Sequence, residues 1–173
     1  MFTHAAIDVI KTLRMARPSR NTNRDDIQNG PRTFFVTSKT YGGASLLQTE
    51  RMANLFIDVL RTYVTAKKFR LHDFVVMPNH FHLQLTLDGR KTIERAVGLV
   101  KGKFSYRAKK ELGCRYEIWQ PGFSDERVWD RESFLRHRSY IDNNPVKAGL
   151  ADKPENYPYG SAYFRARKKA LRA

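Results

Sequence analysis

The sequence predicts an α+β fold of the ferredoxin-like split β-α-β type, with one antiparallel sheet and helices packed on one face. Three observations lead there. The apolar period switches between two and about 3.6 in the order strand, helix, strand, strand, helix, strand, helix. Pro78-Asn79 interrupts the central β-type run and turns it into a hairpin. The chain is 173 residues long with no internal repeat, which is about one domain.

The elements follow in order. "RTFFVTSKT" (32–40) is β-branched and aromatic and reads as the first strand. "YGGAS" turns the chain. In "LLQTERMANLFIDVLRTYVTAKK", Met52, Leu55, Phe56, Val59, Leu60 and Tyr63 have helical spacing. "FRLHDFVVM" and "HFHLQLTL" are the second and third strands, on either side of Pro78-Asn79. "KTIERAVGLVKGKFSYRAKKELG" is a long helix that stops at Gly113. "RYEIWQPGFSDERVW" supplies a fourth strand or an extended segment, and "RESFLRHRSYIDNN" a third helix that Pro145 stops. "NNPVKAGL" is expected to be structural.

Composition narrows the function. The chain is 41% hydrophobic and 12% aromatic, enough for a folded core. Thirty-two Lys and Arg against seventeen Asp and Glu give a net charge of +15, which calls for a polyanionic partner, nucleic acid before anionic membrane. The single cysteine, Cys114, allows no internal disulfide and no cysteine-based zinc site, in keeping with a reducing cytoplasm. No apolar run approaches the roughly 20 residues that span a membrane. Residues 1–31 are expected to be an N-terminal extension and linker. Their first twenty are basic and mildly amphipathic without the apolar centre of a secretory signal. Residues 32–164 form the domain, and 165–173 a basic tail.

Two features carry chemistry. His80 and His82 flank Phe81 in a strand, so both imidazoles point to one face, roughly 7 Å apart at the backbone, and can share one metal ion. On the long helix the apolar stripe Ile93, Val97, Val100, Phe104, Ala108 leaves Tyr106 about 200° away from Phe104. Gly98 and Gly102 share the row of Tyr106, a lane along which a substrate strand can approach. Lys101, Lys103, Arg107, Lys109 and Lys110 surround it, and Arg165, Arg167, Lys168 and Lys169 add cations in the tail. A metal polarises a phosphate oxygen, and a tyrosine hydroxyl attacks phosphorus to form a covalent intermediate.

"VVMPNHFHL", "LVKGKFSYRAKKELG", "EIWQPGFSDERV", "YIDNNPVKAGL" and "NYPYGSA" occur in an order that resembles the REP-associated tyrosine transposases, members of the HUH single-tyrosine superfamily. The resemblance covers about residues 32–162. It implies a metal-dependent nuclease and strand transferase acting on single-stranded DNA at imperfect palindromic hairpins through a 5′-phosphotyrosine. Mg²⁺ or Mn²⁺ is the implied metal, His80 and His82 its ligands and Tyr106 the nucleophile. A bacterial, cytoplasmic and nucleoid-associated protein, monomeric or homodimeric, is implied as well. In related enzymes a third polar ligand sits one helical turn after the tyrosine. Here that place is Lys110, whose charged ammonium has no lone pair to give. Glu111 and Gln84 are the candidates for the third ligand, with His72 and Asp73 as further options. That departure leaves two rival readings, a DNA-binding protein that no longer cuts and a metal-dependent phosphoesterase that uses water.

Overall fold

The computed structural model describes residues 30–89 and 91–172. Almost all of the expected N-terminal extension, residues 1–29, lies outside them. The elements are β1 (Arg32–Lys39), α1 (Glu50–Thr65), β2 (Arg70–Met77), β3 (His80–Leu87), α2 (Ile93–Leu112), β4 (Ser124–Val128), α3 (Arg131–Lys147) and α4 (Ser161–Ala170). The four strands form one sheet in the order β2-β3-β1-β4, with every neighbouring pair antiparallel.

Local chemistry sets the helix boundaries. Thr49 and Thr92 cap α1 and α2 by accepting from the amides of Met52 and Arg95, both at 3.3 Å. Asp130 and Ser133 form a reciprocal capping box at the start of α3. Gly113 ends α2 at φ 70°, a left-handed conformation that costs other residues more.

β3 decides the layering. Its sequence alternates strictly, with Phe81, Leu83, Leu85 and Leu87 on one face and His80, His82, Gln84 and Thr86 on the other. The apolar face packs on α1 and α2, where Phe56, Phe81, Phe104 and Trp119 make mutual ring contacts at 4.7–5.9 Å. An alternating strand ordinarily leaves its polar face to solvent, and the ferredoxin-like arrangement expected from the element order has helices on one face only. The structure corrects this: α3 and α4 cover the polar face, and His82, Gln84 and Thr86 are buried.

Hydrogen bonds and ion pairs make that burial tolerable. Thr33, Thr86 and His72 are linked in a row across three strands, by contacts of 2.8 and 2.7 Å. Gln84 donates to the Phe134 carbonyl at 3.3 Å. Asp73, 0% exposed, receives Arg138 of α3 at 3.0 Å and Arg165 of α4 at 2.5 Å, and Arg165 also reaches Asp142 at 2.5 Å. A small second core of Val75, Met77, Ile141 and Tyr157, with Phe35 against it, completes this layer.

Two further expectations change. Pro145 does not stop α3, which continues to Lys147. A proline removes only the bond to the carbonyl four residues before it, and Pro145 sits in the last turn, where little helix remains to disrupt. The basic C-terminal stretch is not a separate tail up to Ala170 but the greater part of α4. Ser161 Oγ accepts from the Phe74 amide at 3.2 Å and Phe164 meets Phe74 at 6.0 Å, which docks this helix on β2.

Candidate active site

His80 and His82 lie on the polar face of β3, with ring centroids 4.8 Å apart. Thr37 faces His82 across β1, and Val75 faces it across β2. Each imidazole is held by its Nδ1. The Asn79 side-chain oxygen accepts from His80 at 2.7 Å, and Thr37 Oγ1 lies 2.7 Å from His82 Nδ1. Asn144 of α3 donates its side-chain amide to His82 Nε2 at 3.3 Å. Because His82 Nε2 accepts, its Nδ1 carries the proton and donates to Thr37. The Nε2 lone pair therefore faces Asn144.

Electrostatics keep both rings neutral, as a metal ligand must be. Burial pushes His82 down to about 3, and the neighbouring His80 adds to the shift. Burial also lowers His80, the Asn144 side chain opposes, and the charge of Lys39 lowers it further.

Tyr140 stands one helical turn before Asn144 on α3. Its ring meets His82 edge-on at 5.2 Å and Phe35 edge-on at 5.8 Å, while Phe35 stacks on His82 at 5.2 Å. Tyr140 is 43% exposed, open to a substrate from outside. One phenol, two neutral imidazoles and one carboxamide thus converge where α3 crosses the polar face of the sheet.

The residues expected from the sequence are distributed differently. The histidines come together as anticipated. Tyr106 does not join them: it lies on α2, in the layer against the opposite face of the sheet, 60% exposed, with Lys103 and Lys110 each 5.9 Å from its ring. The row of Gly98 and Gly102 meets nothing within 4 Å. Glu111, on the same helix, is engaged by Arg107 at 2.6 and 3.0 Å. Gln84 shares the histidine face, but it is sealed under α3 with its amide on Phe134 and its Oε1 unpartnered. His72 is bonded to Thr86, and Asp73 is clamped by two arginines.

Among the described residues no three or more His, Cys, Asp or Glu form a cluster able to hold a metal. The carboxamide of Asn144 lies against His82, and a carboxamide oxygen is a donor type suited to hard divalent cations. Two imidazoles with their Nδ1 atoms anchored, plus an amide at His82 Nε2, fit one divalent metal.

The cations also divide. Lys101 Nζ donates to the carbonyls of Gln120 at 2.9 Å and Gly122 at 2.8 Å, Arg107 pairs with Asp58 and Glu111, and Arg165 belongs to the Asp73 clamp. Arg167 bonds the Tyr163 hydroxyl. Lys103, Lys109, Lys110, Lys168 and Lys169 are exposed.

Sequence reasoning missed Tyr140 and Asn144, although their signal was present. The one-turn spacing between nucleophile and third ligand, which fails at Tyr106 and Lys110, is met by Tyr140 and Asn144 in "YIDNN".

Comparison with known proteins assigns the class. The family model "Transposase IS200 like" matches residues 39–144, well over half of the chain. The chain belongs to this family of DNA-cleaving transposases, within the HUH single-tyrosine class. The REP-associated branch that its motifs resemble is borne out. A REP-associated tyrosine transposase of Escherichia coli K12 is 26% identical over 131 residues, 74% of each chain. A solved REP-associated tyrosine transposase bound to a REP hairpin shares the fold, with a TM-score of 0.64 and 24% identity over 83% of this chain and 82% of that one. Among the described residues no helix is long and apolar enough to cross a membrane.

Proposed function

We propose that this protein cuts single-stranded DNA beside hairpin, REP-like palindromes and transfers the cut strand through a 5′-phosphotyrosine. The nucleophile is Tyr140, and His80, His82 and Asn144 are the ligands of one Mg²⁺ or Mn²⁺. The observation that carries this reading is the meeting of Tyr140 and Asn144, one turn apart on α3, with His82, whose ring lies 4.8 Å from that of His80. Hairpin DNA as substrate rests on the relative that is bound to one. The β1-α1-β2-β3-α2-β4 order supports the ferredoxin-like core on which the site is built.

The bound metal would supply Lewis-acid polarisation of a phosphate oxygen. The remaining roles belong to the chain. The phenolic oxygen of Tyr140 attacks phosphorus, the O–P bond forms, and the P–O3′ bond breaks. The phenol gives up its proton to solvent and the departing 3′ oxygen takes one, so charge and protons balance. The second step reverses this with an incoming 3′-hydroxyl, which makes the reaction a transfer rather than a hydrolysis. Thr37 and Asn79 fix the imidazole orientations, and Phe35 walls the site from below.

The test is a covalent adduct between the protein and a hairpin oligonucleotide with a single-stranded flank, in Mn²⁺, with the modified peptide mapped. An adduct on Tyr140 that disappears with chelator supports the reading. Cleavage without any adduct points to hydrolysis by water, and tight binding without cleavage to a DNA-binding protein. Either result overturns it.

A further inference from the structure

Resting on the site just proposed, we infer that Lys147 and Lys39, the latter opposite His80 in the sheet, together grip the scissile phosphodiester beside Tyr140. Tyr140, Asn144 and Lys147 stand at positions i, i+4 and i+7 of α3, so they share one face of the helix. Lys147 Nζ lies 5.7 Å from the centre of the Tyr140 ring. Lys39 pairs in register with His80 across β1 and β3, which puts it on the same face of the sheet as the histidines. Both lysines are exposed, and neither is in an ion pair among the described residues.

The charge of the site calls for such a ligand. The metal ligands are two neutral imidazoles and a carboxamide, with no carboxylate among them. The nearest acid on α3, Asp142, is held by Arg165. A divalent ion on neutral ligands, with two ammonium groups at its border, leaves a strongly positive hollow. A phosphodiester monoanion satisfies it, and developing charge on the equatorial oxygens satisfies it better. The two lysines act as charges and as hydrogen-bond donors. They donate hydrogen bonds to non-bridging oxygens and exchange no proton with the nucleophile or leaving group.

A lysine in the last turn of a helix also complements the helix dipole without touching any substrate. The two roles separate in the test. The full chain, in Mn²⁺, is given the hairpin oligonucleotide with a single-stranded flank. Single-turnover adduct formation, DNA affinity and Mn²⁺ affinity are measured for Lys147→Met, Lys147→Arg and Lys39→Met. Lys147→Met is expected to slow adduct formation about 100-fold, as loss of one preorganised donor does, with Mn²⁺ affinity unchanged. Lys147→Arg is expected to recover at least about tenfold of this, since a guanidinium also binds phosphate. Lys39→Met is expected to slow it about tenfold. A Lys147→Met rate within about threefold of the parent overturns the inference. So does a loss that Arg does not restore and that Mn²⁺ affinity follows, because Lys147 then acts only by holding Asn144 in place. Failure of the underlying site looks different: the unsubstituted protein forms its adduct elsewhere than Tyr140.

Discussion

Tyr140 and His82 meet edge to face, with ring centroids 5.2 Å apart and planes 75° apart, although 57 residues of chain separate them. The contact exists because α3 lies over the polar face of β3. That face would otherwise be solvent-exposed, and the two histidines would be ordinary surface residues. Covering it desolvates His82 and brings the Tyr140 phenol to that imidazole in one step.

The first prediction separates the two tyrosines. Tyr140→Phe keeps the ring against His82 and Phe35 and removes only the hydroxyl, so stability and DNA affinity should stay close to the parent. Adduct formation should fall below detection. Tyr106→Phe, on the far layer, should form adduct at the parent rate. Electrophoresis under denaturing conditions after incubation with labelled oligonucleotide reads both, and an adduct retained by Tyr140→Phe contradicts the assignment.

The second concerns acid. Burial lowers His72, His80 and His82 from their ordinary value, His82 to about 3. The unfolded chain takes up protons on these groups as pH falls through about 6.5, while the folded chain does not. Stability is therefore fully present above about pH 6.5 and declines as pH falls toward 3. In chelator, urea unfolding at pH 7.5 and pH 5 should show this drop, and His82→Gln should make it smaller. An equal drop in both proteins shows that other groups are responsible.

Much of this architecture was legible in the chain. The alternation of β3, the stripe of α2 and its stop at Gly113 are local signals, and local periodicity reports them. So is His-Phe-His, since two imidazoles on one strand face follow from pleat geometry alone. The choice of Tyr106, which the structure leaves apart from the histidines, weighed each helix by itself. Lying off the apolar stripe shows only that a residue faces away from its own core contact. It does not show which face of the sheet that helix covers. The identity of α3 as the cover depends on Asp73, Arg138 and Arg165, residues far apart in sequence, and on a helix that runs through Pro145. α4 went unseen because its cationic run reads as solvated, while Arg165 turns inward to a buried carboxylate.

The Asp73 clamp should be worth measurable stability. Arg165→Leu removes one charge-assisted hydrogen bond to a buried carboxylate and should cost about 1–3 kcal/mol. Replacing Arg138 as well leaves Asp73 buried without a cation and should bring the total to about 3–5 kcal/mol or more. The double change should exceed the sum of the singles, since each arginine partly covers for the other. The same variants should show little change in the salt dependence of DNA binding. Lys168→Ala with Lys169→Ala should lower that slope, by up to about 0.7 for each phosphate of a single strand that is no longer neutralised. A large slope change in Arg165→Leu puts that side chain on DNA rather than on Asp73.

The last prediction concerns Asn144 and the residues that aim the imidazoles. If the Asn144 oxygen completes a metal site with His80 and His82, Asn144→Leu should cost more Mn²⁺ affinity than any substitution outside the site. Asn144→Asp should keep or strengthen binding, because a carboxylate is a better ligand for a hard divalent ion. Thr37→Val keeps the shape beside His82 and removes only the hydroxyl that accepts from Nδ1. Losing such an outer partner typically costs about 10–100-fold in metal affinity, so Thr37→Val should fall between the parent and Asn144→Leu. Mn²⁺ titration followed by electron paramagnetic resonance ranks the variants without relying on cleavage. Parent-like affinity in Asn144→Leu removes Asn144 from the ligand set and leaves its contact with His82 Nε2 as a packing hydrogen bond between α3 and the sheet.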